Sequence, residues 1–425
     1  MVYVLSKESK PLMPCENVVA RLLLKEKKAK VKRKVPFTIQ LQYDSTEYTQ
    51  KCVHGVDTGS GTVGSAVVSE GKVIYVSEIE IRNDITAKMT QRNKYRRNRR
   101  NRKTRYRKKR FDNRGNSKRI DRFSPTVNSK IQSHERVIEF VKSILPITDL
   151  VLETGTFDMH YMKNPSLRNE KKIHWGYQKG VNYGFANSKA MVLSRDNYTC
   201  KCCKSKKGTM EVHHIVYRSN GGSDDAENLV TLCEKCHKEL HKGLFKEFEG
   251  KLVGIKKGTL KHATQMNSIR KQLFLKHPNA IETFGYVTKE NRQLLGIEKT
   301  HYTDACVIAS GGEPVKFKTN YVYVKKDIAK RDIQRTKGIR SEQMIPIGKI
   351  QGFRKFDKVE YLGKEYFIKG RMSSGYAILM DIHGVKVDFS NMPKGFKTPK
   401  LKNLIRKAAR KCQMITTEKI IPSLV

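Results

Sequence analysis

The alternation of apolar and polar residues divides the chain into globular segments separated by basic or irregular ones. Residues 1–50 combine a short apolar start, a helical pattern and a strand of period two at 37–43, and this combination predicts a small α+β module. Residues 51–81 contain three short apolar runs separated by glycine-containing turns. Consecutive short strands joined by tight turns predict an antiparallel meander.

Globular patterning returns in the middle and at the end of the chain. Residues 134–145 have the spacing of an amphipathic helix, and 148–153 follow as a buried strand that ends in an acid. Beyond about residue 345, the short runs are separated by glycines and predict a small β-barrel, followed by a basic helix at 400–411. The four runs are 358–362, 365–369, 376–381 and 385–389.

The charge of the chain indicates a polyanionic partner. Lys and Arg total 86 against 41 Asp and Glu, which gives a net charge of +45. A membrane surface is the competing polyanion, but there is no run of 18 apolar residues and no secretory signal at the start. We therefore expect nucleic acid as the partner, no membrane, and a reducing cytoplasmic location. Of the nine cysteines, four fall into two Cys-x2-Cys pairs, which we expect to be metal ligands rather than disulfides.

Residues 92–110 form the most basic stretch. Thirteen of its nineteen residues are Lys or Arg and none is acidic. These residues favour one long helix beside a neutralising anion, and the alternative is a disordered basic arm. The candidate nucleic-acid contacts are Arg92, Arg96, Arg97, Arg99, Arg100, Arg102, Arg105, Arg107 and Arg110.

Two Cys-x2-Cys pairs predict a structural zinc site. Cys200, Cys203, Cys233 and Cys236 have the spacing of a four-thiolate tetrahedral site, whereas Cys202 has the wrong offset. The intervening 29 residues exceed those of an ordinary zinc ribbon, and they contain a pair of adjacent histidines. The alternative is a zinc knuckle with bystander histidines.

The segment between the cysteine pairs resembles the HNH nucleases in its adjacent histidines, its Glu-Asn-Leu-Val stretch and its final Cys-His. The resemblance implies a ββα-metal core in which His214 is the general base and Asn228 orients it. It also implies that His213 and His237 bind one Mg²⁺, although many members have Asp in place of His213. Such chemistry needs a cation to offset phosphate charge and a base of near-neutral pKa. His241 stays open, as a ligand or a surface residue.

A second set of candidate catalytic residues is dispersed along the chain. Asp57 and Glu153 each end a predicted strand, and His301 and Asp304 share one helix face at i,i+3. Two-metal phosphodiester cleavage needs several carboxylates that converge on two ions. Taken singly, each residue has an ordinary alternative: a turn aspartate, a strand-end acid, or a polar pair at a helix start.

Together, these residues resemble RuvC motifs I, II and III in their order along the chain. The arginine-rich stretch lies between the first two motifs and the HNH unit between the last two. A Pro-Leu-Met-Pro tetrad lies at 11–14. This layout resembles the IscB family, transposon-encoded relatives of type II CRISPR effector nucleases. The resemblance implies that Asp57, Glu153 and Asp304 hold two Mg²⁺, that His301 is a ligand or base, and that the chain binds a guide RNA.

The expected fold is multidomain α/β and α+β. It has an RNase H-like RuvC core split in three segments, an Arg-rich bridge helix, an inserted ββα-metal HNH domain with zinc knuckles, and a C-terminal small β-barrel. The expected segments are 1–50 (N-terminal module), 51–90 (RuvC I), 91–120 (bridge helix), 121–165 (RuvC II), 166–187 (linker), 188–245 (HNH), 246–315 (RuvC III) and 316–425 (barrel, contacting the scaffold RNA and the target motif).

The expected function is RNA-guided cleavage of double-stranded DNA. The HNH site would cut the guide-paired strand and the RuvC site the displaced strand, with one protein per guide and scaffold RNA in a prokaryotic, nucleoid-associated setting. One alternative is an RNA-free homing or junction-resolving endonuclease that reads bases directly in a groove. The other is a catalytically inactive RNA- or DNA-binding protein.

Overall fold

The computed structural model describes residues 1–101, 123–157, 184–217, 222–244, 261–329, 333–335, 342–344, 348–409 and 413–419. For 99–101, 261, 333–335 and 342–344 it describes the backbone only. The chain forms two compact units. The first joins Met1–Gly155 to Met266–Val425, and the second is Thr156–Gln265.

The described strands and helices are numbered here in chain order. The strands are β1 (Val2–Leu5), β2 (Pro11–Cys15), β3 (Ala29–Arg33), β4 (Thr38–Leu41), β5 (Val53–Asp57), β6 (Thr62–Ser69), β7 (Lys72–Glu80), β8 (Asp149–Thr154), β9 (Met210–His214), β10 (Leu229–Cys233), β11 (Ile281–Phe284), β12 (Lys316–Phe317), β13 (Tyr321–Asp327), β14 (Ile333–Arg335), β15 (Glu342–Met344), β16 (Lys358–Tyr361), β17 (Lys364–Arg371), β18 (Ala377–Met380), β19 (Ile405–Ala408) and β20 (Gln413–Lys419). The helices are α1 (Asn17–Lys25), α2 (Ile85–Asn101), α3 (Pro125–Lys142), α4 (Ser188–Arg195), α5 (Glu234–His241), α6 (Lys261–Lys276), α7 (Gly285–Leu294) and α8 (His301–Ser310).

The N-terminal residues form the predicted combination of strands and one helix. Four strands pair in the order β2-β1-β4-β3, and the Pro-Leu-Met-Pro tetrad is the start of β2. Buried Val4, Ile39 and Leu41 pack with Ala20 of α1 into a small core of their own. Alternate apolar positions on short strands therefore bury one face of this sheet, as its pattern indicates.

The large sheet of the first unit has the order β11-β8-β5-β6-β7-β13-β20, with β12 also paired to β7. Strands β5, β6 and β7 form the predicted antiparallel meander. Strand β8 runs parallel to β5, and β11 runs parallel to β8. The carboxyl ends of three neighbouring strands therefore meet at one edge, which is the usual place for a site in sheets of this kind.

Helices cover both faces of this sheet. On one face, Val56 and Leu152 pack against Ile138 of α3 and Ile269 of α6. Burying side chains of this size contributes about 1.5–3 kcal/mol each. On the other face, α8 lies on β5 and β6. Helix α3 begins nine residues before the helix predicted at 134–145. Ser124 is its N-cap and accepts a hydrogen bond from the Val127 amide, and Pro125 is the first helical residue, a position that proline favours.

The predicted C-terminal β-barrel is wrong. The strands described between residues 348 and 409 form an open antiparallel sheet, β18-β17-β16-β19, with no closure among them. The run predicted as a strand at 385–389 contributes only a single bridge, between Lys386 and Met380. The Val387 amide donates a hydrogen bond to the Leu379 carbonyl of β18 at 3.1 Å, and Phe389 is buried in the core of this sheet. The run therefore lies against β18 without forming a continuous strand.

The predicted basic helix at 400–411 is also wrong. Residues 401–403 form a 3₁₀ turn and 405–408 form β19, which pairs with β16. Leu401 and Leu404 are buried in the core of this sheet. Lys407 forms an ion pair with Glu360. Tertiary packing and pairing have therefore overridden a helical preference that is weak for an isolated segment.

The arginine-rich stretch is helical as far as the structure describes it. Helix α2 starts before the basic run, and Arg92, Arg96 and Arg97 are exposed on it. Only the backbone of Arg99 and Arg100 is described. Four predicted contacts lie outside the described residues: Arg102, Arg105, Arg107 and Arg110. Among the helices that the structure describes, none is long and apolar enough to cross a membrane.

Candidate active sites

The second unit contains a ββα arrangement that carries all the residues predicted for the HNH site. Strands β9 and β10 pair antiparallel, with His213 opposite Val230 and His214 opposite Leu229. Helix α5 follows β10 directly. Buried Asp196 accepts a hydrogen bond from the Thr231 amide at 3.0 Å and so ties the end of α4 to the hairpin.

The four predicted cysteines come together at one end of this hairpin. The Sγ atoms of Cys200, Cys203, Cys233 and Cys236 all lie within 4.8 Å of one another. A closed set of four thiolates is typical of a structural zinc site, and Cys202 is outside it, as its spacing indicates. The arrangement joins the loop before β9 to the start of α5, so a bound ion would cross-link the unit.

The structure adds a third histidine to the two predicted as ligands. One ligand nitrogen each from His213, His237 and His241 lies within 4.8 Å of the others. His237 Nε2 is 3.1 Å from His241 Nε2, and Nδ1 of His237 is hydrogen-bonded to Glu211. Burial and the neighbouring His237 lower the pKa of His213 to about 4, which keeps it in the neutral form that binds metals. The i,i+4 spacing in α5 explains why His241 joins the set.

His214 and Asn228 have different partners from those the sequence implied. Nε2 of His214 is hydrogen-bonded to Oδ1 of Asp224 at 2.7 Å. The Asn228 side chain accepts from the Val216 amide and donates to the carbonyls of Val216 and Ser223. Asn228 therefore fixes the two sides of the loop after β9, and Asp224 is the group that contacts the candidate base.

Asp57 and Glu153 are neighbours on adjacent parallel strands. They are opposite each other in the β5–β8 register, at the carboxyl end of both strands. His301 Nδ1 is hydrogen-bonded to Asp57 Oδ2 at 2.7 Å, and this contact raises the pKa of His301. The first turn of α8 also supplies Asp304, whose pKa is raised by burial and by Asp57. All four residues predicted for the second site thus converge.

Glu153 is in a setting that disfavours its charge. Burial raises its pKa to about 7, and Asp57 and Asp304 add to the rise, while a hydrogen bond from Thr288 opposes it. Its Oε2 is buried with no hydrogen-bond partner among the described residues. Three carboxylates held this close repel one another, which is the usual condition of a site that takes divalent cations.

A cation of the chain already faces one of these carboxylates. Arg292 Nε lies 2.9 Å from Asp304 Oδ1, and each of the two side chains is 13% exposed. The contact is an ion pair without hydrogen-bond geometry. Arg292 is in α7, so this pair connects the last turn of that helix to the first turn of α8.

Two glycines let α8 approach the sheet closely enough to place His301 beside Asp57. A Cβ on Gly64 would lie 1.8 Å from the His301 carbonyl oxygen, and one on Gly55 would lie 2.5 Å from that of Ala305. Any larger residue at either position would collide with helix backbone. These glycines belong to the site because they set the height of α8 above β5 and β6.

Sequence reasoning missed four residues of these sites, Glu211, Asp224, Thr288 and Arg292, and left the role of His241 open. His241 had a signal in its i,i+4 spacing from His237. Asp224 and Glu211 are ordinary surface acids by sequence, and only the fold brings them to histidines. Thr288 and Arg292 precede the predicted His-x-x-Asp pair, on a helix whose position the sequence does not indicate.

Comparisons with known proteins support this assignment of the second unit. Residues 200–243 match the model of the HNH endonuclease family, and residues 2–180 match that of RRXRR proteins. The chain contains the pattern of the latter name at 96–100, Arg-Arg-Asn-Arg-Arg. The HNH match spans both cysteine pairs and the three clustered histidines.

Three curated relatives match over short stretches. Anaredoxin from Nostoc sp. (strain PCC 7120) is 34% identical over 64 residues, which are 15% of this chain and 84% of that protein. The type IV methyl-directed restriction enzyme EcoKMcrA from Escherichia coli K12 is 36% identical over 12% of this chain, and the probable mobile endonuclease C from Enterobacteria phage T4 is 47% identical over 12%. The chain spans only 22% and 23% of these last two.

A solved structure of Streptococcus thermophilus Cas9 in complex with the AGAA PAM also matches. The match covers 58% of this chain and 32% of that one at 13% identity, with a TM-score of 0.34. A likeness of this size does not establish a shared fold.

Proposed function

We propose that the chain, which carries an HNH endonuclease domain at residues 200–243, is an RNA-guided, metal-dependent DNA endonuclease with two cutting sites. The histidine-rich site would cut the strand paired to the guide. The carboxylate site, of the RuvC type, would cut the displaced strand. One protein would bind one guide RNA, in a prokaryotic cytoplasm.

The observation that carries the second cutting site is the convergence of four residues from three distant parts of the sequence. Asp57 and Glu153 are side by side in register, and His301 bonds directly to Asp57. Asp304 lies on the same helix turn as His301. Separate ordinary explanations for each residue do not account for their meeting at one sheet edge. The sheet order also agrees with an RNase H-like core, in which a meander is extended by parallel strands.

The two sites fit different metals. Carboxylate oxygens suit Mg²⁺, and Asp57, Glu153 and Asp304 would hold two such ions, which would offset charge on the attacking and leaving oxygens. Imidazoles suit first-row transition metals. The set of His213, His237 and His241 therefore favours a transition-metal dication over the Mg²⁺ expected from sequence, because none of its three ligands is an oxygen. The four-cysteine set would hold one structural zinc.

His214 would accept the proton of the attacking water. Donation from its Nε2 to Asp224 leaves Nδ1 as the basic nitrogen and fixes the ring. Asn228 would keep the loop between them in place through its three backbone hydrogen bonds. In the other site, His301 is held by Asp57 and would orient or deprotonate the nucleophile there.

The support for RNA guidance is the arginine-rich helix and the overall charge. Arg92, Arg96 and Arg97 are exposed on α2, which follows the meander that carries Asp57. A net charge of +45 suits binding to a structured RNA as well as to a DNA duplex. In guided enzymes base pairing supplies sequence, and the protein contacts the backbone.

The test of the two-site proposal uses strand-specific labels on a matched duplex, with the RNA that co-purifies. His214→Ala and Asp57→Ala should each become a nickase, and the two should nick opposite strands. The double variant should bind without cutting. If Asp57→Ala leaves both strands cut at the parental rate, the RuvC-type site is refuted.

A second candidate function is an endonuclease that reads DNA without RNA. It is favoured by two of the relatives, which are named as a restriction enzyme and a probable mobile endonuclease. The absorbance ratio of the purified protein distinguishes the two, because bound RNA raises it. Cleavage that survives ribonuclease treatment would support the RNA-free enzyme, and loss of cleavage that added RNA restores would support guidance.

A further inference from the structure

Two aromatic residues form an exposed stack beside the carboxylate site. The rings of Phe284 and Tyr286 are nearly parallel, at 6° between planes and 6.1 Å between centroids. Tyr286 is 70% exposed, although it is at the start of α7 in a folded unit. An aromatic ring that is supported from behind and open to solvent is a surface that bases stack on.

The stack is placed at the sheet edge where Asp57 and Glu153 lie. Strand β11 is parallel to β8 and pairs Thr283 with Glu153. The chain then leaves the sheet through Gly285, and a Cβ there would lie 3.1 Å from Glu153 Oε1. Because Gly285 has no side chain, the backbone between the two aromatic residues can pack directly against the Glu153 carboxylate. Tyr286 follows Gly285 directly, so a base stacked on its ring would lie beside the carboxylate cluster.

The surroundings favour an anionic polymer as the occupant. Lys299 is close enough to Glu153 to oppose the rise in its pKa. Lys289 is exposed one turn beyond Tyr286 on α7. These cations are suited to backbone phosphates on either side of a stacked base, whereas a protein partner would gain little from a tyrosine bordering clustered carboxylates.

We propose that Tyr286, supported by Phe284, is a stacking platform for one unpaired base of the DNA strand that the carboxylate site cuts. The inference rests on the proposed function of that site. Bases within a duplex have both faces covered by their neighbours, so only a single strand offers a face to the ring. Stacking is tolerant of sequence, which suits an enzyme whose specificity comes from pairing elsewhere.

The experiment measures base stacking directly, on the full-length protein with its bound RNA. A short single-stranded DNA carrying 2-aminopurine is added to the His214→Ala protein without added Mg²⁺, and fluorescence quenching reports stacking. Tyr286→Ala should abolish the quenching and weaken single-strand binding roughly ten-fold. Tyr286→Phe should retain both, because the ring and not the hydroxyl makes the contact. Leu294→Ala is the matched control, since Leu294 is an exposed apolar residue on the same helix.

Cleavage of the displaced strand supplies the second measurement. Tyr286→Ala should raise KM for this strand about ten-fold with a smaller change in kcat. Equal losses in Tyr286→Phe and Tyr286→Ala, unchanged quenching in Tyr286→Ala, or the same loss in Leu294→Ala would each overturn the platform. Failure of the proposed function is distinguishable: Asp57→Ala would then leave displaced-strand cleavage intact, while the quenching experiment still decides for or against stacking.

Discussion

Replacing Gly64 with alanine tests whether the height of α8 over the sheet sets the geometry of the carboxylate site. The new Cβ would lie 1.8 Å from the His301 carbonyl oxygen. The shortest ordinary carbon–oxygen contact is about 3.3 Å, so the helix start must retreat by about 1.5 Å. Catalytic groups need to be held within about 0.5 Å, and a displacement of about 1 Å costs about 100-fold in rate. Gly64→Ala should therefore slow displaced-strand cleavage at least 100-fold.

The same substitution should leave cleavage of the guide-paired strand unchanged, because the histidine-rich site is in the other compact unit. Overpacking should also lower the free energy of unfolding of the first unit by about 1–3 kcal/mol. Strand-specific end labels and a thermal melt measure the two effects. Gly61→Ala is the matched control, since a Cβ there meets nothing within 4 Å. Parental rates on both strands with an unchanged melting temperature would refute the reasoning.

Three further predictions concern metal, pH and salt. Protein purified without added metal should contain about one zinc per chain by elemental analysis, and Cys236→Ser, which removes a buried thiolate, should reduce this to near zero. The pKa of Glu153 is raised from 4.5 to about 7, so the stability it contributes is present below pH 4.5 and is lost as the pH rises through 7. Without added divalent metal, Glu153→Gln should therefore raise the free energy of unfolding at pH 8 by about 1–2 kcal/mol, a figure reduced for the partial exposure of this side chain. Near pH 4 the substitution should not raise it. Chemical denaturation at the two pH values measures both results. Finally, the double substitution Arg96→Ala and Arg97→Ala should reduce the slope of log affinity for nucleic acid against log salt concentration by about one unit per lost phosphate contact. An unchanged slope would show that these residues of α2 do not contact the nucleic acid.

The sequence predicts those parts of the sites that follow from local chain geometry. Asp57 and Glu153 each end an apolar run, and strand ends gather at one edge of a sheet. His301 and Asp304 share a helix face by their spacing. The four cysteines have ligand spacing within two short loops. Each of these inferences needs only the periodicity of one element and one rule about how elements assemble.

What the sequence does not predict depends on contacts between distant segments. Asp224 reaches His214 across a loop, and Arg292 reaches Asp304 across the junction of two helices. The helix predicted at 400–411 is wrong for the same reason, because Lys407 pairs with Glu360 on a strand 47 residues earlier. Residues of this kind do not stand out in the hydrophobic periodicity of the sequence, because only the tertiary fold determines which residue they contact.

The close packing of α8 on the sheet brings the residues that the sequence predicts together with those that it does not. Gly55 and Gly64 have no side chain, so the helix start rests directly on β5 and β6. That contact places His301 against Asp57 and brings Asp304 within the influence of both Asp57 and Arg292. Charge repulsion among three carboxylates opposes this arrangement, and Arg292 on α7 and Lys299, just before α8, offset part of it. Backbone packing therefore holds together a carboxylate cluster that electrostatics alone would separate, and the repulsion that remains is what favours divalent metal at this edge of the sheet.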